Sequence, residues 1–130
     1  MLKSITIESW DCSLRELDGN AAAKKLTLLN NGHVIYVEKD FGDKENTSII
    51  THKTFNKETV QNFLDKAEKI FIPDFFLTDT DSWCDACPDV ITLKKQDGEI
   101  IQGELFNVYN KEVEAFYYLI GKTFNIELGF

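Results

Sequence analysis

The residues whose type and spacing come nearest to chemistry are Cys84 and Cys87, in the stretch Trp83-Cys84-Asp85-Ala86-Cys87-Pro88. Two thiols at this spacing suit dithiol–disulfide exchange or one half of a tetrahedral zinc site. Exchange chemistry needs the nearer thiol at a helix N-terminus, where the dipole stabilises the thiolate. Here a strand follows, and Asp81, Asp85 and Asp89 oppose a thiolate by like charge. A closed zinc site needs a second pair of ligands. That pair would be Cys12 with His33 or His52, because there is no second CxxC and no HxxxH. Thiol redox or structural zinc at Cys84 and Cys87 is therefore the alternative reading, and no other cofactor is expected.

The same cysteines lie in the most unusual segment of the chain. Residues 74–89 hold five aspartates, three aromatic residues and no lysine or arginine. A connection this long exceeds the ordinary four to six residues, and long loops often carry function. Phe75 and Trp83 among Asp79, Asp81, Asp85 and Asp89 form a candidate recognition surface: aromatic rings bury into a partner while carboxylates orient it. The plainer alternative is that Phe75, Phe76 and Trp83 close the core and the aspartates act as caps, turns and solvated surface. Asp79-Thr80-Asp81 opens like a calcium loop, but Trp83 takes the next ligand position and no glycine follows.

Catalytic constellations are lacking elsewhere. His33 follows an Asn-Gly turn and His52 lies in a strand pattern, neither within a nucleophile or metalloprotease motif. The seven glycines are scattered, so there is no glycine-rich phosphate loop. Pairs such as Asp79 and Asp81, or Glu112 and Glu114, are expected by chance among 22 acidic residues. The reading is accordingly not an enzyme.

Composition narrows the partners. Fourteen Lys and Arg against 22 Asp and Glu give a net charge of −8, which repels phosphate backbones and anionic lipid heads. Nucleic acid and membranes are excluded as direct partners on this ground, and a basic protein partner is favoured. No apolar run is long enough for a transmembrane helix, the first residues alternate like a strand rather than a leader, and three cysteines make no disulfide framework. These features predict a cytoplasmic protein.

The elements that must position these residues follow from periodicity. Residues 1–130 suit a single domain. Residues 4–10 read as a strand with Ile5 and Ile7 on one face. Residues 25–29 and 33–38 read as a hairpin around Asn30-Asn31-Gly32, and 48–53 as a short strand. Val60, Phe63, Leu64, Ala67, Ile70 and Phe71 recur at helical spacing. Asn56 is placed to cap that helix, Phe55 to staple onto Val60, and Pro73 to stop it. A second hairpin spans 90–95 and 99–108 around Gln96-Asp97-Gly98. A second helix begins at Asn110, carries Val113, Phe116, Tyr117 and Ile120, and is predicted to stop at Gly121, followed by a strand over 123–128. The expected fold is α+β: a mostly antiparallel sheet built from hairpins, with two amphipathic helices on one face.

This order of elements resembles a bacterial family of small α+β domains of unknown function. The likeness runs from Leu26 to Leu128. It covers a strand ending in Asn-Gly, the Val34-Ile35-Tyr36-Val37 strand, the Val60-x-x-Phe63-Leu64 helix, Phe75-Phe76-Leu77, the Ile91-Thr92-Leu93 strand, the Asp97-Gly98 turn and a closing helix. It implies the fold and no activity. By size, charge and lack of catalytic motifs the chain is also similar, as a class, to acidic immunity and inhibitor proteins. The functional expectation is a non-enzymatic protein-binding domain of that kind.

Overall fold

The computed structural model describes residues 1–9, 24–39, 48–71, 89–105, 111–126 and 128. In chain order these form β1 (Leu2–Ser9), β2 (Lys24–Leu29), β3 (His33–Lys39), β4 (Ser48–Thr54), α1 (Lys57–Ile70), β5 (Asp89–Lys95), β6 (Ile100–Leu105) and α2 (Lys111–Phe124). The described strands make one six-stranded sheet in the order β4-β3-β2-β1-β5-β6, every pair antiparallel. The α+β architecture expected from the periodicity is the one observed.

Both hairpin turns work as their residues dictate. Gly32 and Gly98 take φ of 97° and 95°, a region open chiefly to glycine. In each turn the preceding side chain holds the backbone beyond. Asn31 Oδ1 accepts from the His33 N–H at 3.1 Å, and Asp97 Oδ1 accepts from the Glu99 N–H at 2.8 Å. β1 then joins the two hairpin units, pairing with β2 on one side and β5 on the other. It begins at Leu2, two residues before the expected start. A register shift between Leu2 and Ser4 turns Leu2 onto the buried face, since one extra residue reverses the alternation of a strand.

One sheet face is core. Ile5 and Ile7 lie opposite Leu28 and Leu26 on one side and Leu93 and Ile91 on the other, and all six are buried. The helices cover this face with Val60, Phe63, Leu64, Ala67, Val113, Phe116, Ile120 and Phe124. Asn56 caps α1 as expected, its side chain accepting from the Glu58 N–H at 2.8 Å. The helices run antiparallel, because Phe55 and Phe63 meet Phe124 while Phe63 and Phe71 meet Phe116, with centroids 4.6–6.1 Å apart. Tilted and edge-on pairs of this kind add about 0.5–1.5 kcal/mol each beyond area burial.

The end of α2 corrects the sequence reading. Gly121 does not stop the helix, and residues 123 and 124 are helical rather than extended. The buried stripe Val113, Phe116, Ile120 continues to Phe124, whose burial carries the helix past the glycine. Asn125 then takes φ of 54°, and the Ile126 N–H donates to the Gly121 carbonyl at 3.0 Å. This is the six-to-one bond of a left-handed helix stop, with asparagine in the glycine position. Lys53 of β4 completes it: its Nζ donates to the Phe124 and Asn125 carbonyls at 3.1 and 2.8 Å.

Candidate functional site

Three places among the described residues gather groups capable of recognition or chemistry. The first is an open groove of about 430 Å³ between the outer sides of α1 and α2. Its apolar lining is Ile70, Ala115, Phe116 and Leu119, and its charged residues are Lys66, Lys69 and Glu112. The sequence places them together: 66, 69 and 70 share one side of α1, and 112, 115, 116 and 119 share one side of α2. Phe116 belongs to the α2 core stripe and the other positions lie beside the core stripes, so the groove runs along the edge of the helix–helix contact. Leu119 is 37% exposed. Lys66 lies over the Phe63 ring with its Nζ 5.6 Å from the centroid, which holds an ammonium at the rim. The arrangement can seat an apolar group and fix its orientation by charge.

The second lies at the start of β5. Asp89 is the first residue of β5, opposite Ser9 of β1 and Leu105 of β6. Burial pushes its carboxyl above the usual range, and a hydrogen bond with the Ser9 side chain opposes that shift. Tyr117 of α2 stands nearby. Burial, and then the Asp89 charge, raise its phenol above the ordinary tyrosine value. Both groups titrate above their ordinary values at the margin of the core.

The direction sets a pH dependence. A carboxyl whose folded pKa exceeds its unfolded one binds more protons folded than unfolded between the two values. Its contribution is present below the unfolded pKa and is lost as pH rises through the folded one. Asp89→Asn is expected to raise stability at pH 7 and to flatten this part of the stability–pH curve. Urea unfolding of both proteins at pH 4 to 8 checks it, and an Asn variant less stable than wild type at pH 7 would contradict it.

The third is a pair of imidazoles on the opposite sheet face. His33 Nδ1 and His52 Nε2 are 2.7 Å apart, with centroids 4.9 Å apart and planes at 41°. β3 and β4 pair with His33 opposite Thr54 and Ile35 opposite His52, so the rings meet diagonally.

Of the recognition residues expected in the acidic loop, Asp89 is placed in β5, half-buried rather than presented on a loop. Phe75, Asp79, Asp81, Trp83 and Asp85 lie outside the described residues, as do Cys84, Cys87 and Cys12. Among the described residues, no three His, Cys, Asp or Glu side chains gather as a metal cluster. No helix among them is long and apolar enough to cross a membrane. Leu119, Ala115, Lys66 and Lys69 were not singled out by the sequence. The available signal was Leu119, an apolar residue off the α2 core stripe.

Compared with known proteins, the chain matches no family model and no curated relative.

Proposed function

We propose that this chain is a non-enzymatic protein-binding domain whose groove between α1 and α2 receives an apolar side chain of the partner. The observation that carries this reading is the groove's composition: an apolar floor open to water, with two lysines and a glutamate around it. Apolar surface at the bottom of a concavity gains most by being covered, and bound side chains in such pockets dominate interface energetics. The rim charges add orientation and encounter rate. Lys66 and Lys69 favour acidic groups beside the apolar anchor. The net charge of −8 and the aspartates of residues 74–89 favour basic groups elsewhere on the same partner. The aspartate-rich residues follow α1 in sequence, and the last turn of α1 contributes Lys69 and Ile70 to the groove. An immunity- or inhibitor-type role in the cytoplasm is the specific form of this reading that fits an acidic domain.

The test uses capture of a partner from the source cell by tagged wild-type chain and by Leu119→Glu. Leu119 is partly exposed, so the variant is expected to keep its thermal midpoint. Retention of the wild-type partner is expected to fall about tenfold or more, the effect of losing a central interface contact. Equal retention by a folded Leu119→Glu chain would overturn the groove as the binding surface. Loss in Trp83→Ala/Asp81→Lys instead would move the surface to the acidic loop.

A further inference from the structure

We propose that His33 and His52 form a two-histidine site for a divalent transition ion of nickel or copper type, on the sheet face opposite the helices. The two ring nitrogens are already in contact. At 2.7 Å, His33 Nδ1 and His52 Nε2 share a single proton, one ring donating it and the other accepting. To bind an ion through both nitrogens, the donating ring moves its proton to its other nitrogen through solvent, and the rings turn so that both lone pairs face the metal.

The separation lies nearer to cis ligands at a right angle than to tetrahedral ligands. With metal–nitrogen bonds of about 2.0–2.1 Å, two cis ligands at a right angle stand about 2.8–3.0 Å apart. In a tetrahedral zinc site they stand about 3.3–3.4 Å apart. The observed separation needs only about 0.1–0.3 Å of opening for square-planar or octahedral geometry and roughly twice that or more for tetrahedral. Imidazole nitrogen is also a favoured donor for copper and nickel, and the remaining positions are left for water.

The scaffold supports the pair. Both rings stand on directly hydrogen-bonded strands, and the Asn31 side chain fixes the backbone at His33. Lys53, adjacent to His52 in sequence, turns to the other face, where its ammonium is held by the Phe124 and Asn125 carbonyls. That cation is therefore directed away from the bound ion. The net charge of −8 favours any cation on approach. No cysteine is required, whereas the zinc reading of Cys84 and Cys87 would draw on Cys12 and one of the same two histidines. It is also independent of the proposed groove, which lies between the helices on the other side of the sheet.

The test is titration of the full chain with nickel chloride, followed by amide NMR and by calorimetry. Paramagnetic broadening is expected first at residues 33–35 and 51–54. The dissociation constant is expected to weaken on the order of 100-fold in His52→Ala and in His33→Ala, because the second imidazole binds at high effective concentration. Both residues are at the surface, and the same spectra report whether the variants keep the fold. Broadening centred elsewhere, or less than tenfold weakening in either folded variant, would overturn the site.

Discussion

Replacing Phe124 with alanine is expected to cost about 3–5 kcal/mol of stability, the range for emptying a well-packed aromatic site. Phe124 is fully buried at the last position of α2, with its ring 4.6 Å from Phe55 and 5.1 Å from Phe63 by centroid. Phe55 precedes α1 and Phe63 lies within it, so this one ring fastens the end of one helix to the start of the other. Removing it also loosens the Phe124 carbonyl that Lys53 holds from β4. Against an ordinary domain stability of 5–15 kcal/mol, the loss consumes a large share. Phe124→Leu retains most of the volume and is expected to cost about half as much or less. Urea unfolding of the three proteins gives the comparison. A loss within about 0.5 kcal/mol for Phe124→Ala would be the surface-substitution range. It would return Phe124 to the terminal strand read from the sequence.

Gly32→Ala is the second large effect, about 3 kcal/mol or more. Positive φ alone costs an L-residue about 1–2 kcal/mol. At Gly32 a Cβ would also run into the carbonyl oxygen of Phe55, well inside contact distance. That approach cannot relax freely, because the Phe55 N–H donates to the Gly32 carbonyl at 2.8 Å and leads directly into the α1 cap. Gly98 is the internal control. Its φ is nearly the same, 95° against 97°, yet nothing lies within 4 Å of its added Cβ. Gly98→Ala is therefore expected to cost only the conformational part, about 1–2 kcal/mol. Thermal unfolding of both variants separates the two contributions. Equal losses would mean that the Gly32–Phe55 approach contributes nothing.

What could be read from the sequence was local. α1 was legible because Val60, Phe63, Leu64 and Ala67 repeat at one helical spacing behind a capping asparagine. The hairpins were legible because Gly32 and Gly98 occupy the positions where tight turns need positive φ. What escaped depended on contacts between distant segments. Gly121 is a good stop signal taken alone, but burial of Phe124 against Phe55 and Phe63 carries α2 one turn further. The central place of β1, between two hairpins that follow it in sequence, leaves no trace in its own alternation. His33 and His52 are 19 residues apart and meet only through the β3–β4 register. The groove likewise requires knowing that α1 and α2 lie antiparallel. Leu119 lies off the α2 core stripe, and only the packing of the two helices sets it beside the same concavity as Ile70.

Hydrogen exchange on the captured complex tests protein binding at the helix groove most directly. Binding there is expected to slow exchange at residues 66–70 and 112–119, on both helices together, relative to the free chain. Protection confined to residues 72–88 or to the sheet face opposite the helices, with both helix segments exchanging as in the free chain, would contradict the assignment.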